Sequence, residues 1–371
     1  MKYYIIAGEA SGDLHGSNLI KQLHKLDASS TIRCWGGDLM QAAGSALVKH
    51  YRELAFMGFA EVVKNLPTIF KNIRFCKEDI AAFKPDVLVL IDYPGFNLRI
   101  AEWGKQQGYK IVYYISPQVW AWKENRVKKM KLNIDIMLCI LPFEKDYYKN
   151  KWNWKVEYVG HPLVEEIEQR KRKSLMVNDD VGIKNIVALL PGSRKQEINK
   201  KLPIMLEVAK SFPDYEFVVA QAPGQEDDFY EPFLSAYHNV SSVKNDTYNL
   251  LIKSKAALVT SGTATLETAL FGVPEVVCYK SSNISYQIGK RLIKIKFISL
   301  VNLIMDKLVV KELIQDELTA ANLVKELNEL LYNENRILQV KTDYAMLRNI
   351  LSVGGNASAK AASIIYAFTV E

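Results

Sequence analysis

Cysteine is scarce in this sequence, and the few cysteines present are not arranged for disulfide or metal chemistry. Among 371 residues there are four, Cys34, Cys76, Cys139 and Cys278, and no two of them form a C-x-x-C pair. Small proteins that depend on disulfides carry closely spaced cysteines in even-numbered frameworks. The sequence therefore excludes a disulfide scaffold and favours a protein of the reducing cytoplasm.

Long apolar runs are also missing. No stretch approaches the roughly 20 consecutive apolar residues that a membrane-spanning helix requires. The N-terminal sequence MKYYIIAGEASG has one lysine and a short apolar run before a glycine turn, which is typical of a first strand and too short for a signal peptide. Any contact with a membrane is expected to be peripheral.

Motifs for metal ions and for common nucleotide cofactors are absent as well. The five histidines include no H-x-x-x-H pair, and no D-x-D follows a predicted strand. Neither a Walker A motif nor a complete G-x-G-x-x-G with a ribose-binding acid is present, which speaks against kinases and dehydrogenases. We predict that the protein uses no metal ion and no other cofactor.

What is present is material for two α/β domains. Hydrophobic residues make up 49% of the chain, and apolar runs such as residues 3–7, 87–91, 111–115 and 134–141 alternate with amphipathic stretches. This alternation is typical of parallel strands joined by helices, and single cores rarely exceed about 250 residues. The sequence predicts two Rossmann-like doubly wound domains facing a cleft, over residues 1–165 and 184–350, with a linker at about 165–183. The tail, residues 351–371, is predicted to be helical, and whether it returns to the first domain stays open.

Three predicted strands run into turns of small residues, each followed by a helix: residues 8–16, 190–197 and 260–267. Such turns expose backbone N–H groups at a helix N-terminus, where the helix dipole favours an anion. Each turn by itself is equally compatible with a simple strand-to-helix connection. Taken together they predict phosphate binding by the second domain, with the candidate residues Gly192, Ser193, Arg194, Ser261, Gly262, Thr263 and Glu267.

Two of these candidates have competing interpretations. Arg194 follows its turn directly, so its planar guanidinium can hold a diphosphate or, alternatively, form a surface ion pair with Glu197. Glu267 falls one helical turn after Thr263, where its carboxylate can accept hydrogen bonds from ribose hydroxyls. A helix-capping role for Glu267 is the alternative.

Asp92 is the candidate catalytic residue. The apolar run 87–91 ends in DYPGFN, so this carboxylate emerges at the carboxyl edge of a parallel sheet, where ligands of such folds bind. A partly desolvated carboxylate can take a proton from an attacking hydroxyl. The alternative is that Asp92 caps a helix beginning near Asn97.

The opening loop carries Glu9, Ser11 and Asp13, which are candidates for contacts with a sugar or an acceptor. Asp13 is equally interpretable as a helix N-cap. Because the second domain already has two phosphate loops, we assign the segment 8–16 to the acceptor side, facing Asp92.

A basic amphipathic segment, residues 57–77, suggests a lipid surface. It mixes apolar residues with Lys64, Lys71, Arg74 and Lys77. A core-facing helix with a solvated lysine face is the equally weighted alternative. The candidate membrane contacts are Phe59, Val62, Val63, Ile69 and Phe70.

Nucleic acid is the less favoured anionic partner. The net charge of +7 is compatible with phosphates, acidic lipid or nucleic acid. The aromatic and basic stretch 113–131 has the composition of a single-strand binding surface, but its Trp120 and Trp122 follow a strand and a proline, which favours packing. We predict no nucleic-acid partner.

Taken in order, the motifs resemble those of one family, lipid-A-disaccharide synthase, an inverting glycosyltransferase with the GT-B architecture. The resemblance covers nearly the whole chain. It is carried by GEASGD at 8–13, MGFAEV at 57–62, IDYPGFN at 91–97, SPQVWAW at 116–122, LPFEK at 141–145, VGHP at 159–162, LPGSRKQEI at 190–198, SGTATLE at 261–267 and SLVNLI at 299–304.

The resemblance implies a reaction. UDP-2,3-diacylglucosamine would donate its sugar to the 6-hydroxyl of 2,3-diacylglucosamine 1-phosphate at the cytoplasmic face of the inner membrane, giving a β-1,6 disaccharide and UDP. It also implies that Asp92 is the base, that Arg194 belongs to the donor phosphate loop, and that Asn97 and Asn302 contact the acceptor or a sugar. Val301 stands where many relatives carry proline. Gly95 stands where some carry aspartate, and this second departure singles out Asp92 as the acid of its motif.

Two other functions remain compatible with the residues. One is a related GT-B enzyme that acts on unacylated UDP-N-acetylglucosamine, such as a peptidoglycan-precursor transferase or an epimerase. The other is a catalytically silent nucleotide-sugar binder, which would keep LPGSR and SGTATLE without needing Asp92. Release of UDP only when both acylated substrates are present would separate the three.

Overall fold

A computed structural model describes residues 1–54, 66–176, 185–222, 225–282, 286–287 and 295–371. The chain forms two compact units. The first comprises Met1–Pro162 together with Leu351–Glu371, and the second comprises Leu163–Ile350. Each unit is built on its own parallel sheet.

The regular elements of the described residues alternate between strand and helix through most of the chain. The strands are β1 Lys2–Ala7, β2 Thr31–Gly36, β3 Ala46–His50, β4 Val87–Ile91, β5 Lys110–Tyr114, β6 Ile136–Cys139, β7 Glu157–Tyr158, β8 Ile186–Leu190, β9 Glu216–Gln221, β10 Val240–Lys244, β11 Ala256–Thr260, β12 Glu275–Tyr279 and β13 Lys311–Ile314. The α-helices are α1 Ala10–Leu26, α2 Asp38–Ala42, α3 Leu66–Phe83, α4 Pro94–Gln106, α5 Arg126–Asn133, α6 Pro142–Trp152, α7 Pro162–Met176, α8 Lys195–Glu207, α9 Asp227–Leu234, α10 Thr247–Lys253, α11 Thr263–Phe271, α12 Leu300–Met305, α13 Ala320–Tyr332, α14 Glu334–Ser352 and α15 Ala357–Val370.

The first unit has a seven-stranded sheet in the order β3-β2-β1-β4-β5-β6-β7, with helices on both faces. Side chains alternate between the faces because a strand has a period of two. Thus Tyr4 and Ile6 of β1 join the core that contains residues of α3 to α6, whereas Tyr3 and Ile5 join the core that contains residues of α1, α2 and α15. This double coverage explains why the central strands are continuous apolar runs.

The second unit has a six-stranded sheet in the order β10-β9-β8-β11-β12-β13, and all of its pairings are parallel. Its central strands, β8 and β11, are almost completely buried. The two units therefore confirm the prediction of two doubly wound α/β domains with a helical tail.

Both sheets reverse their direction of winding at one place. In the first unit the chain winds from β1 toward β3 and then restarts at β4 on the other side of β1; in the second unit β8 and β11 have the same relation. The loops that leave two such neighbouring strands diverge and leave a crevice at the carboxyl edge of the sheet. The crevices lie after Ala7 and Ile91 in one unit and after Leu190 and Thr260 in the other.

The structure answers the question about the tail, because α15 packs on the first unit. Ala361, Ala362 and Ile365 enter the core beside α1, and the Lys110 ammonium donates to the carbonyl of Phe368 at 2.8 Å. The turn before α15 passes so close to Gly160 that a Cβ on Gly354 would lie 2.3 Å from the Gly160 Cα atom. Only glycine fits at residue 354.

The first part of the predicted linker at about 165–183 is helical and belongs to the second unit. Residues Pro162–Met176 form α7, and residues 177–184 lie outside the described part of the chain. The charged run at 170–173 consists of arginine and lysine, which are good helix formers, and Pro162 stands at the first helical position where its missing N–H is harmless. Charge alone does not interrupt a helix.

Candidate functional site

A cavity of about 580 Å³ opens in the second unit between the ends of β8 and β11. Its lining includes every residue predicted to bind the donor: Gly192, Ser193, Arg194, Ser261, Gly262, Thr263 and Glu267. The two phosphate-loop motifs are 70 residues apart in sequence, and the parallel pairing of β8 with β11 brings them together. The sequence-predicted donor residues therefore share one crevice.

Glycine is required at two points of this lining. Gly192 has φ of 115° and Gly262 has φ of 137°, values that L-residues with a side chain rarely adopt. A Cβ on Gly192 would also lie 2.7 Å from a carboxylate oxygen of Glu197. These turns let the chain leave each strand sharply and start a helix.

Helices α8 and α11 begin at this cavity without a side-chain cap. The N-cap residues are Arg194 and Gly262, and neither accepts a hydrogen bond from the first turn. The first N–H groups of a helix have no intrahelical acceptor, so an anion placed here can accept them. The cavity is thus suited to a phosphate or diphosphate.

The Arg194 side chain shows that its two interpretations are compatible. It is 65% exposed, lines the cavity, and its Nη1 lies 3.5 Å from Oε1 of Glu197. An ion pair this exposed contributes little to stability. A bound diphosphate can therefore take over the guanidinium at small cost.

Glu267 does not cap α11, because the N-cap position belongs to Gly262. Its carboxylate faces the cavity and accepts a hydrogen bond from the Tyr248 hydroxyl at 3.1 Å. Burial raises the pKa of Glu267 above its usual value. One carboxylate oxygen is thus held by the protein, and the group remains available to accept from a ligand hydroxyl.

Sequence reasoning missed a buried lysine beside this cavity. Lys201 is almost fully buried on α8, donates to the Thr260 hydroxyl, and lies 3.9 Å from Oε2 of Glu197. Burial lowers the pKa of Lys201, and Glu197 opposes that change. The spacing was a usable signal, since residues 197 and 201 are four apart and share one face of a helix.

In the first unit, Asp92 lies in a strained turn at the switch between β1 and β4. Both Asp92 and Tyr93 have positive φ, 44° and 48°, which is costly for residues with a side chain. The Tyr93 ring lies directly over Gly8, where a Cβ would be 2.3 Å from the ring. The glycine of the opening loop therefore makes room for the turn that presents Asp92.

Hydrogen bonds to its backbone hold Asp92 in this conformation. The Asp92 carbonyl accepts from the Tyr113 hydroxyl at 2.5 Å and from the Asn97 amide at 2.8 Å. Its N–H donates to the carbonyl of Tyr114 at 3.0 Å. The carboxylate accepts from the N–H of Tyr93, and its remaining acceptor sites are left for other partners.

The electrostatics of Asp92 suit a general base. Burial, followed by the nearby charge of Glu9, raises the pKa of Asp92 to about 6. A base with a pKa close to the working pH combines proton affinity with a populated ionised form. The alternative assignment, a cap on a helix beginning near Asn97, is wrong, because α4 begins at Pro94 and its N-cap is Tyr93.

The three polar residues of the opening loop separate in the structure. Glu9 and Ser11 are exposed, and Glu9 is close enough to affect Asp92. Asp13 is buried, and its carboxylate accepts from the N–H groups of Gly37, Leu39 and Met40 at 2.8, 3.2 and 3.0 Å. The assignment of Asp13 to ligand contact is thereby corrected. Its carboxylate oxygens already accept from N–H groups at the start of α2, so Asp13 caps a helix to which it does not belong.

Asn97 and Asn302 are likewise corrected. Both are completely buried. The Asn97 amide donates to backbone carbonyls, including that of Asp92, so it holds the backbone of the Asp92 turn.

The Asn302 side chain has its hydrogen-bonding capacity filled by protein. It accepts from the N–H groups of Val309 and Val310 at 2.8 and 2.9 Å and donates to the Val310 carbonyl and the Glu312 carboxylate at 2.8 and 2.9 Å. Such a residue fixes the connection between α12 and β13. It has no direction left for a sugar.

A second buried carboxylate in the first unit was also missed. Glu144 is fully buried and accepts from the indole N–H of Trp120 and the N–H of Leu141, both at 3.1 Å. Burial raises the pKa of Glu144 to about 8, and the charge of Asp92 adds to the rise. The carboxyl group therefore takes up a proton near neutral pH and links the LPFEK and SPQVWAW motifs.

The candidate membrane contacts have different outcomes. Phe59, Val62 and Val63 lie outside the described residues. Ile69 is partly buried and packs against the core, so only part of its side chain can meet a lipid surface. Phe70 is 57% exposed. No helix of the described residues is long and apolar enough to span a membrane.

Solved structures share this fold at low sequence identity. A UDP-GlcNAc 2-epimerase from Neisseria meningitidis, solved with UDP-GlcNAc, matches with a TM-score of 0.63 at 15% identity, covering 100% of this chain and 99% of that one. A UDP-GlcNAc 2-epimerase from Methanocaldococcus jannaschii matches with a TM-score of 0.66 at 12% identity, covering 99% and 100%. A calicheamicin glycosyltransferase matches with a TM-score of 0.62 at 15% identity, covering 100% and 98%. These likenesses establish the fold alone.

Sequence comparison is more specific. The family model described as lipid-A-disaccharide synthetase matches residues 3–367. The lipid-A-disaccharide synthase of Geobacter metallireducens is 38% identical over 368 residues, which covers 97% of this chain and 95% of the relative. That of Coxiella burnetii is 37% identical over 369 residues, covering 98% and 97%. The chain therefore belongs to the lipid-A-disaccharide synthase family and is a glycosyltransferase that uses a UDP-sugar.

Proposed function

We propose that this enzyme transfers 2,3-diacylglucosamine from UDP-2,3-diacylglucosamine to the 6-hydroxyl of 2,3-diacylglucosamine 1-phosphate, forming the β-1,6-linked disaccharide 1-phosphate and UDP. The observation that carries the proposal is the division of chemistry between two sheet crevices. One holds uncapped helix N-termini beside an arginine, and the other holds a carboxylate whose pKa is raised to about 6. Helix N-termini and an arginine stabilise a leaving diphosphate, and a carboxylate with a raised pKa accepts the proton of an attacking hydroxyl.

On the donor side, the cavity of the second unit would hold UDP. The N–H groups that begin α8 and α11, together with the Arg194 guanidinium, would neutralise the diphosphate as it departs. Glu267 would accept hydrogen bonds from the ribose hydroxyls, with Tyr248 fixing its orientation. The Neisseria epimerase of the same fold is bound to UDP-GlcNAc, which supports a nucleotide sugar as the ligand class.

On the acceptor side, Asp92 would remove the proton of the 6-hydroxyl as its oxygen attacks the anomeric carbon. A C–O bond forms on one face while the bond to the diphosphate breaks on the other, so one displacement inverts the configuration. The exposed residues Glu9 and Ser11, at the same sheet edge, would contact the acceptor sugar. Asn97 and Tyr113 would act indirectly, by holding the backbone of Asp92.

Both substrates carry acyl chains, so the enzyme would work against a lipid surface, the cytoplasmic face of the inner membrane. Phe70 is a candidate for this contact, because it is an exposed aromatic residue on a helix rich in cations. The segment with Phe59, Val62 and Val63 remains a prediction.

The test is mass spectrometry of the product, combined with a UDP-release assay, using purified enzyme and defined donor and acceptor lipids. We expect UDP release only when both acylated substrates are present, with a product mass equal to the linked disaccharide phosphate. Turnover of UDP-N-acetylglucosamine to its 2-epimer, or UDP binding without turnover, would refute the proposal in favour of the other two functions. Loss of activity in EDTA would contradict the metal-free mechanism.

A matched pair of variants tests the base. Asp92→Asn keeps the size and most hydrogen bonds of the side chain but cannot accept the proton, so we expect kcat to fall by about 10²–10⁴-fold with unchanged UDP affinity. Ser11→Ala, at the same sheet edge, should retain kcat within about tenfold. Near wild-type turnover by Asp92→Asn would remove Asp92 from the mechanism.

A further inference from the structure

A second cavity lies in the first unit, in the groove between α4 and α5. Its volume is about 310 Å³. The lining residues come from both helices and from the turn that follows α5: Pro94, Gly95, Leu98, Arg99, Ala101, Glu102, Arg126, Lys129, Met130, Asn133 and Ile134. None of the site residues discussed above uses this groove.

The floor of the groove is apolar. Ala101, Met130 and Ile134 are buried in the core of this face, and Leu98 is partly buried against it. Because Ala101, Met130 and Ile134 are themselves only 0%, 2% and 4% exposed, an alkyl chain laid over them would mainly lose its own contact with water, at roughly 25 cal/mol per Å² of apolar surface removed. The groove is therefore suited to a hydrocarbon segment.

The rim of the groove is cationic. Arg99, Arg126 and Lys129 line it, and the single carboxylate among the lining residues is Glu102, which lies 3.3 Å from the Lys129 ammonium. Within the described part of the chain no carboxylate lies within 4 Å of Arg99 or Arg126. Two guanidinium groups thus remain available for an anion, and such groups bind phosphate through paired hydrogen bonds.

Aromatic rings flank both arginines. The Arg99 guanidinium lies 5.7 Å from the centre of the exposed Phe70 ring, and that of Arg126 lies 5.9 Å from the centre of the exposed Trp122 ring. Rings at this distance orient a guanidinium without using its hydrogen-bond donors. The groove therefore combines an apolar floor, preoriented cations and exposed apolar edges.

The groove begins at the catalytic turn. Pro94 and Gly95, which line one end, are the first residues of α4 and follow Asp92 almost directly. From Pro94 to Glu102 the helix rises about 12 Å, at 1.5 Å per residue. Arg126 lies near the same turn. Its charge opposes the rise that burial causes in the pKa of Tyr113, and the Tyr113 hydroxyl donates to the Asp92 carbonyl.

We propose that this groove is the acceptor subsite for an acylated sugar phosphate: one acyl chain lies on the floor between α4 and α5, and the phosphate binds Arg99 and Arg126. The inference rests on the proposed function, which supplies the acceptor. In that acceptor C1, which carries the phosphate, and C5, which carries the 6-hydroxymethyl group, are both bonded to the ring oxygen. A hydroxyl at Asp92 therefore keeps the phosphate close to the turn, at the part of the rim where Arg126 lies.

The phosphate part is tested with Arg126→Met and, separately, Arg99→Met, which keep an apolar side chain and remove the charge. KM is measured for the acceptor and for its dephosphorylated analogue, both in detergent micelles. We expect each variant to raise KM for the phosphorylated acceptor about tenfold, with kcat and UDP affinity unchanged and with less than a twofold effect on the analogue. Arg52→Met, an exposed arginine of the same unit that does not line the groove, is the control.

The acyl part is tested with Leu98→Trp, which fills the groove. We expect KM to rise for long-chain acceptors and to stay unchanged for an acceptor with shortened chains. Equal effects on both chain lengths, or equal effects of the arginine variants on both headgroups, would overturn the proposal. Weaker binding to vesicles of anionic phospholipid, with normal KM in micelles, would also overturn it, because the groove would then hold membrane lipid.

A binding experiment separates this inference from the proposed function. Titration of the enzyme with dodecyl phosphate requires no turnover, and we expect binding that is lost in Arg126→Met and retained in Arg52→Met. If the transferase assay fails while this binding is found, the proposed function is wrong and the subsite stands. If turnover is normal and dodecyl phosphate binds both variants equally, the proposed subsite is wrong and the proposed function stands.

Discussion

Replacement of Asp13 distinguishes a structural carboxylate from a ligand-binding one. Asp13 belongs to a loop motif that sequence reasoning assigned to the acceptor, yet its carboxylate accepts three N–H groups at the start of α2. Oδ1 accepts from Gly37 and Met40, and Oδ2 accepts from Leu39. Asp13→Ala removes both acceptor oxygens and so all three hydrogen bonds, whereas Asp13→Asn keeps an oxygen in the place of Oδ1.

The magnitude follows from this geometry. A buried donor left without a partner costs about 1–3 kcal/mol, and part of that cost is recovered where water enters. We expect Asp13→Ala to lower the free energy of unfolding by about 3 kcal/mol and Asp13→Asn by about 1 kcal/mol, since only the Leu39 N–H then faces an amide donor. For a domain of this size, about 3 kcal/mol corresponds to a fall in Tm of roughly 6–12 °C.

The assay is tryptophan fluorescence during urea or thermal unfolding. All six tryptophans of the chain lie in residues 1–162, so their fluorescence reports the first unit. Ser11→Ala, an exposed position in the same loop, is the matched control and should leave the midpoint unchanged. An unchanged midpoint for Asp13→Ala, together with a raised KM for the acceptor, would refute the capping assignment and restore the ligand role.

Three further predictions follow from single residues. Burial and Glu9 raise the pKa of Asp92 to about 6, and a general base acts only when it is ionised. We therefore expect kcat/KM to fall tenfold per pH unit below about pH 6. If Asp92→Asn shows the same fall in kcat/KM at low pH, the titrating group is not Asp92. Lys201→Met should weaken UDP binding about tenfold in calorimetry while leaving uridine binding unchanged, since only the diphosphate is charged, and equal losses for both ligands would contradict this. Gly354→Ala should destabilise the first unit by more than about 2 kcal/mol, because its methyl group would lie 2.3 Å from Gly160. Gly95→Ala, with nothing within 4 Å, is its control in the same unfolding assay.

The central strands of both sheets were predictable because they are buried on both faces. The run 87–91 became β4 with every residue buried, and the runs ending at residues 190 and 260 became β8 and β11. The edge strands β3 and β10 were not predicted. Each has polar residues and only partial burial, so the apolar run that marks a central strand is missing.

For the site, the turns were predictable and the roles of buried polar residues were not. Gly192 and Gly262 mark turns by their residue type, and their positive φ confirms that glycine is needed there. Asn302, by contrast, looks in sequence like any polar residue that contacts a ligand. Its partners, Val310 and Glu312, lie directly before β13 and within it, and no local pattern identifies them.

The sequence by itself determined the two-domain α/β class, the strand-to-helix turns and the family, because these depend on local periodicity and on motifs read in order. The tertiary structure alone decided which turns share a crevice, since β8 meets β11, and β1 meets β4, only through sheet pairing. It also decided that α15 returns to the first unit, that Asp13 caps a helix, and that Lys201 lies buried beside the cavity of the second unit. These outcomes depend on contacts between residues distant in sequence, where burial and hydrogen-bond partners set the role of each polar group.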